Sequence, residues 1–211
     1  MLHKETVTST TLELLKSLQS QAYLKNFYLV GGTALALKIG HRKSIDLDLF
    51  SNFSFDVVQL LENLSADYNF NLFFSANNTI KGSINSVKVD FLSHRYPLIA
   101  DPTTEEGIEM LSLQDIIAMK LNAISGSGQR VKDFIDIFYL LRHFSIQQMI
   151  GFYKKKYTQY NEVSVLKSLV YFDDIDFNDW PEIIAEPKLK WDVIKSELEK
   201  SIKKYLNQKL K

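Results

Sequence analysis

Two aspartates one residue apart, Asp46 and Asp48, have the type and spacing to do chemistry. They lie in Ser44–Phe50, where Ile45, Leu47 and Leu49 alternate with Asp46, Asp48 and Phe50, the period of a β-strand. On a strand both carboxylates point to one face, about 6–7 Å apart at the backbone. Ile45, Leu47 and Leu49 are then expected to face a core. Like charges at that spacing repel and raise one pKa unless a cation intervenes. Mg²⁺, or Mn²⁺ in its place, resolves the repulsion and can clamp a triphosphate as well. Asp90, in Val87–Leu92, is again polar among alternating apolar residues and can supply a third carboxylate from an adjacent strand. The candidate metal ligands are therefore Asp46, Asp48 and Asp90.

Upstream, Gly31-Gly32-Thr33 sits at a strand-to-helix turn. Glycines let a ligand approach the backbone, and the amides of a helix N-terminus can hold phosphate. Arg42, Lys43 and Ser44, just before the aspartates, can add phosphate contacts. Alone, a D-x-D on a strand is common, and a G-G-T is most often just a turn. Their order gives them weight: strand, G-G-T, helix, D-L-D on the next strand, V-D-F on a later one.

Those residues need a scaffold. Thr8–Thr11 supply capping hydroxyls before a helix bearing Leu12, Leu15 and Leu18. Phe27–Val30 reads as a short buried strand, and Thr33–Leu37 opens a helix that ends near Gly40. Phe55–Leu64 has helical spacing. Residues 71–75, 79–84 and 87–92 read as strands joined by turns at Asn77-Asn78 and Asn85-Ser86. After Pro102 the pattern is helical: 112–125, 130–143, 146–155, 163–170 and a last helix from about Trp191, with Ser125–Gly128 as a flexible joint. The expected fold is α/β (α+β). A small mixed sheet with flanking helices occupies residues 1–105, and a helical domain over 106–211 closes the active-site cleft.

The helical half has one anomaly. Leu113, Ile116, Ile117, Leu121 and Ile124 form an apolar stripe, and Lys120 lies inside it. A buried ammonium costs several kcal/mol unless it meets an anion. Asp133 and Asp136 share a face with Ile137 and Leu140 on the next helix. An internal salt bridge and a phosphate-binding role for Lys120 are both open. Asp173, Asp174, Asp176 and Asp179 read as a solvated loop with caps, and His41 and His94 as surface polarity. The lysine-rich last helix, with Trp191, Ile194, Leu198 and Ile202 on one face, reads as packed on that side and wet on the other; an RNA-contacting surface is the alternative.

Composition excludes several classes. The 211 residues contain no cysteine, which removes disulfides, thiolate catalysis and zinc–cysteine sites. Twenty-five basic and 25 acidic residues cancel, so bulk charge argues for no nucleic-acid partner while leaving a local patch open. The first residues have neither the apolar run nor the cleavage site of a signal peptide, and no stretch approaches a membrane span. A cytoplasmic, soluble protein without membrane contact is expected.

Tyr28–Leu37 (YLVGGTALAL) followed by His41–Phe50 (HRKSIDLDLF) resembles the AbiEii/AbiGii toxin branch of the polymerase-beta-like nucleotidyltransferases. Thr33 stands where many members have serine, which keeps the hydroxyl. Leu113–Ile124, Lys132–Leu141 and Tyr171–Asp174 are similar to later family segments, so the likeness spans roughly residues 25–180. The resemblance implies an NTP-using, metal-dependent nucleotidyltransferase, the toxin half of a toxin–antitoxin or abortive-infection pair. Asp46, Asp48, Asp90, Lys120 and Asp136 would be catalytic. Gly31, Gly32, Thr33, Arg42, Ser44 and Lys120 would hold the nucleotide phosphates. The acceptor would be tRNA or protein, and a cognate antitoxin a further partner. Transfer to a small molecule of the antibiotic type, and a non-catalytic nucleotide-binding or antitoxin-like module, are the alternatives.

Overall fold

A computed structural model describes residues 1–159 and 161–210. The chain divides into two compact units, Met1–Ser112 and the residues from Leu113 onward. Residues 106–112, grouped with the helices in the sequence reading, belong to the first unit because a strand there joins its sheet.

The first unit runs α1 (Ser9–Gln19), β1 (Tyr28–Val30), α2 (Gly31–Ile39), β2 (Leu47–Ser51), α3 (Val57–Asp67), β3 (Phe70–Ala76), β4 (Thr79–Ile84), β5 (Val87–Ser93), β6 (Thr103–Glu105) and β7 (Ile108–Met110). Local chemistry sets the helix starts. The Thr8 hydroxyl accepts from the Thr11 amide at the head of α1, and the Asp56 carboxylate accepts from the Val58 and Gln59 amides at the head of α3. Gly40, with φ 69°, ends α2 in the left-handed conformation that glycine adopts without strain.

The seven strands form one mixed sheet in the order β3-β4-β5-β2-β1-β7-β6. β2 pairs parallel with β5 and β1 parallel with β7; the remaining pairs are antiparallel. One face is a dry core: Leu47 and Leu49 from β2, Val89 and Phe91 from β5, and Ile80 and Ile84 from β4 are all buried. Phe27, Phe55, Phe70 and Phe91 interlock there edge to face or tilted, with centroids 5.2–6.4 Å apart. The alternate residues, Asp48, Asp90 and Lys81, line the opposite face in register. β3 is an edge strand with a bulge at Leu72/Phe74, and Leu72, Phe73 and Phe74 are exposed.

Two expectations about this unit change. Ile45 is 59% exposed rather than in the core, because β2 begins at Leu47. β1 ends at Val30 opposite Asp48, so Asp46 lies beyond the reach of β1 pairing. The β6–β7 hairpin occupies a segment expected to be helical or loop. Its turn residues Glu106 and Gly107 both take positive φ, 51° and 81°.

The second unit comprises α4 (Leu113–Gly126), α5 (Val131–Leu140), α6 (Ile146–Lys156), α7 (Glu162–Ser168) and α8 (Trp191–Lys209). Ser145 and Gln148 close a capping box at the head of α6. Phe134 and Phe172 pack edge to face with Trp191, and Ile194, Leu198, Ile202 and Tyr205 are the buried side of α8. Among the described residues no helix is long and apolar enough to cross a membrane.

Candidate active site

β1 turns directly into α2, and this junction positions the first group of residues. Gly31 has φ +68°, and a Cβ placed on it would collide with Asp48 Oδ2. The aspartate carboxylate therefore lies against the helix start only because residue 31 has no side chain. Gly32 is covered in the same way by the Arg42 guanidinium and, 3.3 Å from where a Cβ would stand, by Ser44 Oγ. Val30, the N-cap, offers no side-chain acceptor, so the first-turn amides of α2 have no side-chain cap.

The Thr33 hydroxyl is buried and committed to positioning. It bonds to Ser44 Oγ at 2.8 Å and, in a short contact, to the Asp46 carbonyl. This ties the Ser44–Asp46 loop to the first turn of α2, which sets where Asp46 sits. Arg42 is fully buried and donates through Nη1 to the Lys43 carbonyl at 3.0 Å.

Asp90 is the register partner of Asp48 on the neighbouring parallel strand, so their side chains share a face about 4.8 Å apart at the backbone. Asp90 is buried. Its Oδ2 is 3.8 Å from the Lys81 ammonium and 3.7 Å from that of Lys88. Its Oδ1 is buried with no hydrogen-bond partner among the described residues. The two lysines were not singled out from sequence, though the period was there: Lys88 and Asp90 are two apart on β5, and Lys81 faces Asp90 across the β4–β5 pair. Among the described residues no three His, Asp or Glu side chains form a ready-made ligand group.

Lys120 and Asp136 belong to the helical unit. The Lys120 ammonium on α4 is 2.6 Å from Asp133 Oδ1 and 2.6 Å from Asp136 Oδ2 on α5, and all three groups are buried. The anion that Lys120 needed is thus a pair of carboxylates. A second buried pair, Lys156 with Asp115 at 2.7 Å, ties α6 to α4.

His41 is not surface polarity, as its type suggested: it is buried at 1% exposure. His94 is half-buried between Phe50 and Tyr96, at ring distances of 5.9 and 4.7 Å. Around residues 173–179 the caps are present: Asp176 accepts from the Asn178 amide, and Asp179 pairs with Lys132.

Comparison with known proteins bears on the family and the fold. The family described as nucleotidyl transferase AbiEii toxin, type IV toxin–antitoxin system, matches residues 13–97 and 78–208. The uncharacterized protein aq_aa25 of Aquifex aeolicus (strain VF5) is 30% identical over 200 residues, 92% of this chain and 95% of that protein. The fold is shared with MenT4, the nucleotidyltransferase toxin Rv2826c from Mycobacterium tuberculosis H37Rv. That match has a TM-score of 0.63 at 13% identity and covers 92% of this chain and 80% of the other. The mixed sheet, the G-G-T helix start beneath a D-x-D, and a family match over most of the sequence converge: this chain is a nucleotidyltransferase and belongs to the AbiEii toxin family.

Proposed function

We propose that the chain transfers a nucleoside monophosphate from an NTP to tRNA or protein, using a divalent metal, and acts as the toxin of a toxin–antitoxin pair in the cytoplasm. One observation carries the reading: the Asp48 carboxylate rests on Gly31 at the start of α2, with Asp46 two residues away. A phosphate-binding helix end and a pair of carboxylates thereby adjoin.

The residues suit Mg²⁺. The donors are hard carboxylate oxygens, two on one segment, and Asp90 Oδ1 is a buried acceptor still without a donor. Mg²⁺ is held by one or two carboxylates plus substrate phosphates, so a site with fewer than three ready protein ligands fits it. Bound there, the metal would neutralise charge growing on the phosphate oxygens. Asp46 and Asp48 would hold it, with Asp90 Oδ1 as third ligand or as base. The first-turn amides of Gly32 and Thr33, with Arg42 and Ser44, would receive the phosphates. The acceptor hydroxyl oxygen bonds to the α-phosphorus in line as the bond to the β-phosphate oxygen breaks. Pyrophosphate leaves, and the hydroxyl proton goes to Asp90 where that carboxylate is the base, or to water where it is the third ligand. The family resemblance would give Lys120 and Asp136 a part in the reaction as well.

The test is transfer of label from each α-³²P NTP, with Mg²⁺, to total tRNA and total cell protein, comparing wild type with Asp46→Ala. Label with wild type alone establishes the reaction and names nucleotide and acceptor. Label on neither, despite nucleotide binding, points to a small-molecule acceptor or to a non-catalytic binding role.

A Gly31→Ala substitution probes the junction. At φ +68° an alanine is strained by about 1–2 kcal/mol, and its methyl must displace Asp48 Oδ2. A shift of about 1 Å in a catalytic group costs about 10²-fold in rate. The expected result is a transfer rate down about 100-fold with only a modest fall in melting temperature. Unaltered transfer would separate Asp48 from the chemistry.

A further inference from the structure

The helical unit contains a groove that the transfer chemistry does not use. The end of α5 and the head of α6 form one wall, with Arg142, His143 and Ser145; α8 forms the other, with Lys200 and Lys204. Its volume is about 580 Å³. An adjoining depression of about 460 Å³ shares Lys200 and Lys204 and adds Lys203.

The chain as a whole is neutral, but here positive charge is concentrated. From Lys200 to its end α8 has lysines at 200, 203, 204 and 209 and no carboxylate. Lys209 is taken by Glu162. Arg142 is taken by Glu186 and stacked over Tyr139, 4.6 Å from its centroid. Lys200 has only a distant partner, Glu197 at 3.8 Å, and is 77% exposed. Lys203 and Lys204 both sit one turn from Lys200 on the wet side of α8, where like charges at i,i+3 and i,i+4 destabilise a helix by about 0.2–0.5 kcal/mol per pair. Packing does not account for them, since α8 buries Ile194, Leu198, Ile202 and Tyr205 instead. Ser145, Asn207 and Gln208 place hydroxyl and amide groups beside the lysines.

We propose that this groove binds the phosphate backbone of RNA. The ligand chemistry is a row of anions spaced along a chain, with sugar hydroxyls for the amides. A protein partner would call for aromatic anchors; the groove's Phe144 packs edge to face on Phe152 and its Tyr205 is buried with its hydroxyl on Glu162, so apart from Glu197 the charged groups offered to a partner are cationic. The proposal rests on the nucleotidyltransferase reading only in making RNA, rather than protein, the acceptor.

The experiment measures binding of a fluorescein-labelled RNA hairpin to the full chain by anisotropy, without nucleotide, between 50 and 200 mM salt. Because no transfer is required, failure of the metal-dependent reading leaves this assay intact. Lys200→Gln/Lys203→Gln/Lys204→Gln is expected to bind at least tenfold more weakly, with the slope of log affinity against log salt reduced by about 2–3. Glu197→Lys, which adds charge to the same wall, is expected to tighten binding several-fold. Unchanged affinity and slope in the triple variant overturn the proposal. So does a wild type that binds labelled polyglutamate as tightly as RNA, which would assign the groove to an acidic protein surface.

Discussion

An Asp48→Ala protein is expected to transfer nucleotide at about 10⁻³ of the wild-type rate or less, while melting within a few degrees of wild type. The rate loss corresponds to about 4 kcal/mol of barrier, the scale of charge stabilisation that a metal held by carboxylates supplies. The stability half follows from the surroundings. Asp48 is half-buried, shares its face with Asp90 one strand away, and follows Asp46 by two residues. Asp48 and Asp90 carry like charges on one face, with Lys81 and Lys88 beside Asp90. Replacing Asp48 removes that like-charge contact and, the side chain being only half-buried, opens no core cavity, so the change in melting temperature is expected to stay within a few degrees. A side chain kept for structure shows the opposite pattern, with stability falling first and activity after it. Circular dichroism melting together with α-³²P transfer reads both quantities. A variant that transfers at the wild-type rate would remove the carboxylate pair from the reaction.

The D-x-D face was legible because strand periodicity is a local property. Asp48 and Asp90 could be placed on one side from alternation, and the register of β2 against β5 pairs them, whereas Asp46 lies before β2 and outside that register. Ile45 was misread for a tertiary reason: β1 stops at Val30 to become α2, so the segment before Leu47 lacks a β1 partner, and the Thr33 hydroxyl takes the Asp46 carbonyl instead. The β6–β7 hairpin left a faint signal, Ile108 and Met110 alternating around Glu109 after a Glu-Gly turn. Three-residue strands carry too few periods to stand out. His41, which follows the αL turn at Gly40, could not be read as buried because it lies outside any periodic apolar pattern. The Lys156–Asp115 pair was equally silent. Lys154–Lys156 looks like a solvated last turn, and only the packing of α6 on α4 selects one lysine of the three for burial.

Lys120 was legible as an anomaly, and its removal is the second large effect expected. Lys120→Ala deletes the cation between Asp133 and Asp136, leaving two carboxylates buried at 3% and 0% exposure without it. Breaking a buried pair in this way costs about 3–5 kcal/mol, which for a chain of this size lowers the melting temperature by about 10 °C. Loss of activity in that variant would not separate a structural lysine from one that also meets phosphate. The triple replacement Lys120→Met/Asp133→Asn/Asp136→Asn does. It removes cation and anions together, and neutral groups of similar volume often restore stability at such sites. Recovered melting with recovered transfer makes the cluster a brace between α4 and α5. Recovered melting with transfer still down about 100-fold or more assigns Lys120, or Asp136, a part in the reaction itself. If Lys120→Ala melted at the wild-type temperature, Asp133 and Asp136 could not depend on this lysine, and the 2.6 Å contacts would not be what holds the two helices together.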